Sequence, residues 1–256
     1  MLRSLGQRRL PLLYVACFSI ILGVASAWIT RRLTRPPRGP TVEAEARPLL
    51  SKYGPEHSSY GPEEWIARDF FDDKRDGFFV DVGANHYKDT SNTYYLETGL
   101  HWSGIAIEPQ TEFQADYAKF RPRTRFFPFF VSDSSNQRAK MYVLEHSTQT
   151  SSGDKTFTEQ PGKKLEELEV PTITLNDLLD SEKVQHVDYM SIDIELWEPK
   201  ALAGFDIERF QPKLVCIEAH QQVRQQILDY FRRHHYTIVG KCLRADVTNL
   251  YFAPES

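Results

Sequence analysis

The chain has 256 residues, of which 41% are hydrophobic and 26% charged, enough for one packed domain with an appendage. A net charge of −4 and a pI near 6.1 exclude the usual nucleic-acid binder, whose surface is basic. Three cysteines, Cys17, Cys216 and Cys242, supply neither a disulfide framework nor a metal-ligand spacing, so the globular part reads as built for a reducing compartment.

Leu10 to Ile29 carry no charge, and about 20 such residues cross a hydrocarbon core as a helix. Arg8 and Arg9 precede the run, Arg31, Arg32, Arg35 and Arg38 follow it, and Trp28 suits an interface belt. Residues 1–30 are therefore expected to form an uncleaved single-pass membrane anchor. A secretory signal cut at Ala25-Ser26-Ala27 is the alternative, but the run exceeds a usual signal core. Basic residues at both ends leave the orientation open. Residues 31–62 contain Pro36, Pro37, Pro40, Pro48, Pro55 and Pro62 and no apolar period, which predicts a helix-free linker. Residues 63–256 then read as one domain.

Within it, Trp65, Ile66, Phe70 and Phe71 recur at helical spacing. Gly77 to Val82 is a short run of large apolar residues with the carboxylate of Asp81 near its end, followed by the turn residues Gly83, Ala84 and Asn85. This predicts a buried strand, a tight turn and a helix capped at Asp89 or Ser91 and stopped at Gly99. Gly104 to Glu108 is a second strand, and Thr111 with Gln114 predicts a capping box on a helix presenting Phe113, Tyr117 and Phe120. Arg125 to Val131 reads as a third strand closed by Ser132 and Asp133, and Lys140 to Leu144 as a short extra one. Residues 146–166, rich in Ser, Thr, Gln and Lys, read as a long mobile loop. Val170 to Leu175 leads into a helical turn at Asn176 to Leu179. Val187 to Ile192 forms the fourth core strand, ending at Asp193 and Glu195, with a helix stopped by Gly204. Lys213 to Ala219 is a fifth strand ending at His220. Val223, Ile227 and Phe231 share a helix face, and Tyr236–Gly240 and Val247–Ala253 read as two last strands.

Strand alternating with helix predicts an α/β domain with a mostly parallel sheet covered on both faces. Ligands in such a sheet bind outside the carboxyl ends of the strands, and four core strands end in acids or near them: Asp81, Glu108, Asp133, and Asp193 with Glu195. Glu108 stands 25 residues beyond Gly83, near the roughly 20-residue offset of an acid that accepts from ribose hydroxyls. Asp193, Glu195 and His220, at the ends of adjacent strands, are candidate bases. No spacing dedicated to a metal is present.

Asp81-Val82-Gly83-Ala84-Asn85, Ile107-Glu108-Pro109, Val170-Pro171-Thr172-Ile173-Thr174-Leu175 and Ser191-Ile192-Asp193-Ile194-Glu195 together resemble the FkbM family of S-adenosylmethionine-dependent methyltransferases. The resemblance covers residues 77 to 220. It implies a Rossmann-like class I methyltransferase fold, with seven strands and the last antiparallel to the rest. It implies S-adenosylmethionine as cofactor, with Asp81, Gly83 and Asn85 on its methionine side, Glu108 on the ribose, and Ser132 and Asp133 facing the adenine. It also implies an acceptor hydroxyl on a sugar, glycolipid or other small molecule. Cofactor supply places the catalytic domain of the expected membrane protein on the cytoplasmic side. Two positions where the family has glycine are occupied by Tyr87 and Leu196, and these support a second reading, a catalytically inactive binding or trafficking protein. A nicotinamide-dependent oxidoreductase lacks its Gly-x-Gly-x-x-Gly after the first strand. Nothing in the sequence sets an oligomeric state.

Overall fold

A computed structural model describes residues 42–145 and 147–255. Its strands are β1 (Phe78–Val82), β2 (Ser103–Ile107), β3 (Thr124–Phe127), β4 (Phe130–Val131), β5 (Arg138–Leu144), β6 (Ser147–Ser152), β7 (Leu165–Ile173), β8 (Tyr189–Ile192), β9 (Leu214–Glu218), β10 (Tyr236–Ile238) and β11 (Asn249–Pro254). Seven of them form the main sheet in the order β10-β11-β9-β8-β1-β2-β3, and the other four form a second sheet in the order β4-β7-β5-β6. In the main sheet β11 runs antiparallel to both its neighbours, and the other pairings are parallel. This is the class I methyltransferase arrangement, with the chain reversing direction on either side of β1.

Side-chain alternation along each strand divides the core into two layers. Val80, Val82, Ile105, Ile107, Met190, Ile192, Val215 and Ile217 pack on one face against Leu178, Leu202, Ile227 and Phe231. Phe79, Tyr189, Leu214, Cys216 and Tyr251 pack on the other against Ile66, Ala67, Leu96 and Trp102. Strands apolar on both faces are what helices on both sides require. Cys216 is a free, buried thiol as its strand pattern predicts. Asp188, just ahead of β8, clamps the amino ends of three neighbouring strands: it accepts from Lys74 Nζ (2.9 Å), Lys213 Nζ (2.7 Å) and the Phe78 N–H (3.0 Å).

Several local expectations are revised by packing. The linker expectation fails over Val42–Tyr53, which is helical despite Pro48. The helix gains tertiary partners that offset one lost backbone bond: Leu49 joins the Ile66 layer, Lys52 pairs with Asp69 at 3.0 Å, and Arg68 lies over the Tyr53 ring. The third strand breaks at Pro128, where Phe129 N–H turns back to the Phe127 carbonyl (2.9 Å), and Phe130–Val131 crosses to pair with Thr172–Ile173. Of the expected loop 146–166, Ser147–Ser152 is an edge strand on β5, followed by a helical turn at Lys155–Thr158. The helix after β1 starts at Thr93, not at Asp89 or Ser91, and Thr93 makes no cap bond because its hydroxyl is given to Asp81. Thr111 opens a short 3-10 turn without the expected capping box.

The single-pass membrane placement is corrected as well. No helix among the described residues is long and apolar enough to cross a membrane, and Leu10–Ile29, which carried that expectation, lies outside the described residues.

Candidate active site

β1 delivers the chain into a turn that only glycine can make. Gly83 has φ of +81°, and a Cβ there would lie 1.8 Å from the Asp193 carbonyl oxygen, so the exits of β1 and β8 touch through backbone. The Gly83 and Ala84 N–H groups both donate to the Ile107 carbonyl, at 2.9 and 3.2 Å, pinning the turn onto β2. Asn85, at φ +45°, donates its N–H to Glu108 Oε2 (3.2 Å), while Glu108 Oε1 accepts from Gln110 N (2.9 Å) and Nε2 (3.2 Å). Burial nonetheless pushes the Glu108 carboxyl up to about 7, because three donors do not replace full hydration.

Behind the turn lies a closed polar network. Asp81 Oδ2 accepts from the Thr93 hydroxyl at 2.7 Å, and burial raises its carboxyl to about 6 while the hydroxyl and Arg121 oppose the shift. The fully buried Arg121 bonds Glu97, the Tyr87 carbonyl (2.8 Å) and the Thr93 carbonyl (3.2 Å), so one guanidinium holds the loop from Tyr87 to Thr93 in place. Asn92 Nδ2 ties the same loop to Ser191 Oγ of β8 (2.9 Å).

A cavity of about 320 Å³ opens at the carboxyl ends of β1, β2 and β8. Of the sequence-predicted residues it brings together Asp81, Gly83, Asn85, Glu108, Asp193 and Glu195. Two acids that the sequence reading passed over, Glu63 and Glu218, complete a lining of six carboxylates, and among the described residues no Lys, Arg or His lines it. Such a wall focuses negative potential and favours a cationic ligand. Asp193 is itself open to water, although protein crowds it closely, and that crowding and the Glu195 charge raise its pKa. Burial raises Glu195 and, with the charges of Asp193, Glu195 and Glu198, raises Glu218.

His220 is not on the cavity wall but directly behind it. Its Nε2 lies 3.1 Å from Glu195 Oε2 in hydrogen-bonding geometry and 3.0 Å from Glu218 Oε2. The Phe157 ring, carried on the helical turn of the second sheet's insertion, packs on the imidazole at 5.0 Å. Ser152, from the same insertion, donates to the Glu195 carbonyl. Ser132 and Asp133 stand outside the cavity. Ser132 follows β4 into the second sheet, its N–H bonded to the Ile173 carbonyl (2.9 Å). Asp133 pairs with Lys200 at 2.6 Å, which holds its carboxyl below the usual range. The break at Pro128 takes them away and puts Phe129 and Val131 on the wall instead.

Neither Tyr87 nor Leu196, at the two positions where glycine is expected, lines the cavity. Tyr87 turns away and stacks on Phe120 at 4.7 Å. Glu195 and Leu196 take φ of +55° and +75°, so the turn after β8 keeps a glycine-like conformation at the strain of two left-handed side-chain residues, about 1 kcal/mol or more each. Glu218 had a sequence signal, an acid ending an apolar strand. Glu63 had none: it sits on the helix Glu63–Phe71 and reaches the cavity by folding, held by Gly61 N (2.7 Å) and Asn249 Nδ2 (3.1 Å).

Residues 81–238, more than half of the chain, match the family described as the methyltransferase FkbM domain. The chain belongs to that family. S-adenosylmethionine is accordingly the cofactor of this methyltransferase. No curated protein matches the sequence. Among solved structures, an O-methyltransferase from Bacillus cereus in complex with S-adenosylhomocysteine is 11% identical, with 87% of this chain and 94% of that one covered at a TM-score of 0.44. A TehB-like methyltransferase from Corynebacterium glutamicum is 12% identical over 83% and 96% at 0.42. A didemethyltoxoflavin N1-methyltransferase from Burkholderia thailandensis is 12% identical over 99% and 94% at 0.37. Scores this low support no inference about this methyltransferase, whose assignment rests on the family match.

Proposed function

We propose that the protein methylates a hydroxyl of a small molecule, a sugar, glycolipid or other metabolite, at the acidic cavity. The observation that carries this reading is the placement of Asp193, open to water on the cavity wall, between the Gly83 turn and the Glu195–His220 pair.

The residues present suit S-adenosylmethionine. Its sulfonium and ammonium groups are cations that a wall of carboxylates would attract, and the Gly83 turn would let backbone approach closely. Asp81, Gly83 and Asn85 would hold the methionine portion. Glu108 offers about four lone-pair sites, three of them used by Asn85 and Gln110, which leaves one for a ribose hydroxyl. With Ser132 and Asp133 outside, Phe129 and Val131 offer the apolar surface for the adenine. The cofactor supplies an electrophilic methyl group.

The protein's share of the chemistry is alignment and removal of one proton. Asp193 takes the proton of the acceptor hydroxyl, and its raised pKa moves it toward the neutral range where a general base is effective. Glu195 is oriented by His220 and supports the acceptor beside Asp193. The catalytically inactive reading loses its footing, because neither Tyr87 nor Leu196 intrudes on the cavity as a blocking side chain. The deciding experiment supplies methyl-labelled S-adenosylmethionine with a panel of hydroxyl compounds and follows label transfer. Asp193→Asn should slow transfer by roughly 10²–10⁴-fold and spare cofactor affinity. Cofactor binding by the wild type with no transfer to any hydroxyl compound, but transfer to an amine or thiol, would refute the hydroxyl assignment.

A further inference from the structure

We infer that Glu195, Glu218 and His220 form a binding site for one divalent cation of the Mn²⁺ or Zn²⁺ type at the floor of the cavity. Each of the three side chains offers one ligand atom, and these atoms all lie within 4.8 Å of one another. His220 Nε2 is 3.1 Å from Glu195 Oε2 and 3.0 Å from Glu218 Oε2. Ligand atoms in adjacent positions around a cation with bonds of about 2.1 Å lie about 3.0 Å apart in an octahedral site and about 3.4 Å in a tetrahedral one. The two distances from His220 Nε2 match those of neighbouring ligands on one cation.

A second observation is independent of the clustering. The Glu218 side chain is 9% exposed and crowded by the Asp193 and Glu195 carboxyls, and its buried Oε2 makes no geometrically sound hydrogen bond although it lies 3.0 Å from His220 Nε2. Of the two carboxylates beside Nε2, Glu195 is the one in hydrogen-bonding geometry. Leaving a carboxylate oxygen desolvated and unbonded costs roughly 1–3 kcal/mol or more, and a cation placed between the three atoms removes that cost. Among the described residues the ion-pair partner of both carboxylates is His220 alone, so two acids face at most one positive charge. The backbone adds to the pre-arrangement. Glu195 is held in a left-handed conformation with its carbonyl bonded by Ser152, and the Phe157 ring backs the imidazole.

Two carboxylate oxygens with one imidazole nitrogen select cations that accept both donor types. Carboxylates suit Mn²⁺ and Mg²⁺, and imidazole suits Zn²⁺ and the later first-row ions. Three protein ligands leave positions open toward the cavity, where water or an acceptor hydroxyl would bind. The site stands on this cluster and does not rest on the methyl-transfer reading.

The test uses the full chain cleared of metal with chelator and dialysed. Mn²⁺ is titrated and the free ion followed by electron paramagnetic resonance, with Zn²⁺ as competitor and S-adenosylmethionine affinity measured on the same sample. The expected result is one Mn²⁺ per chain, displaced by Zn²⁺, with affinity at least tenfold weaker in Glu218→Gln and in the partly exposed His220→Gln. Circular dichroism verifies that each variant is folded. No binding of either ion at millimolar concentration overturns the inference, as does affinity unchanged in both variants. A chain that binds S-adenosylmethionine but neither ion refutes the cation site alone, and one that binds Mn²⁺ but not S-adenosylmethionine refutes the functional reading alone.

Discussion

Glu108→Ala tests whether the turn after β1 is held together by the same carboxylate that we propose meets the ribose. In the sequence Glu108 is a strand-end acid placed for a ribose hydroxyl. The structure assigns it a second task, since it is buried and accepts the Asn85 and Gln110 N–H groups. Removing it deletes the hydrogen bonds that these two backbone donors make to its carboxylate. At about 1–3 kcal/mol for each fully buried donor, moderated by water entering an open cavity, the expected loss is about 2–3 kcal/mol of unfolding free energy. The pH then separates this loss from the cost of burying the carboxylate. Its pKa rises from 4.5 to about 7 on folding, so its favourable contribution is complete below pH 4.5 and disappears as pH climbs through 7. A shift of this size is worth at most about 3 kcal/mol. The destabilisation by Glu108→Ala should therefore be largest near pH 5 and shrink by about 2 kcal/mol at pH 8.5, where the variant no longer carries a desolvated charge. Affinity for S-adenosylmethionine should fall by about 1.5–3 kcal/mol, roughly 10- to 150-fold, at pH 8.5, where the carboxylate is ionised. Urea denaturation at the two pH values and calorimetric titration of the cofactor measure both. A variant with wild-type stability at pH 5 would show that the loop does not depend on Glu108, and one with wild-type affinity would remove it from the cofactor site.

The cofactor-free protein should melt progressively lower from pH 5 to pH 8.5, by about 5 °C or more, because Glu63, Asp81, Glu108 and Glu198 are all raised by burial into the range from about 6 to about 8; a thermal midpoint flat or rising over that window would contradict the buried-acid picture. Asp188→Asn should cost about 1–2 kcal/mol at pH 7, a value reduced from the full shift because Lys74 and Lys213 are half exposed. Its carboxyl is lowered from 3.8 to about 2 by those lysines and the Phe78 N–H against the cost of burial, so the difference between variant and wild type should persist above pH 4 and vanish as pH falls through 2. Gly83→Ala should lose about 2–4 kcal/mol of stability and at least tenfold in cofactor affinity, since the new Cβ meets the Asp193 carbonyl and the φ is left-handed; near wild-type behaviour in both would mean that the turn relaxes freely.

The readable part of this protein was local. Apolar runs of four to six residues marked β1, β2, β8, β9 and β11, and the Val223, Ile227, Phe231 spacing marked the helix Arg224–Arg233 with its buried face. Acids at strand ends marked Asp81, Glu108, Asp193 and Glu195, because in a parallel sheet all carboxyl ends meet at one edge whatever the strand order. Family motifs added the cofactor and the position of the antiparallel strand. What pattern could not supply was everything set by distance in the chain. Pro128 shows that the third strand ends, but not that Phe130–Val131 finds Thr172–Ile173 across 42 residues and thereby removes Ser132 and Asp133 from the site. The segment 146–166 has no apolar period, so its pairing with β5 and its contacts to Glu195 and His220 were invisible until the second sheet formed. Glu63 is an ordinary helix-start acid in sequence, and only the arrival of Asn249, 186 residues later, makes it part of a cavity wall. Periodicity records which face of an element is buried. Which other element buries it, and which carboxylates are thereby forced together, is a property of long-range packing and is decided only in the folded chain.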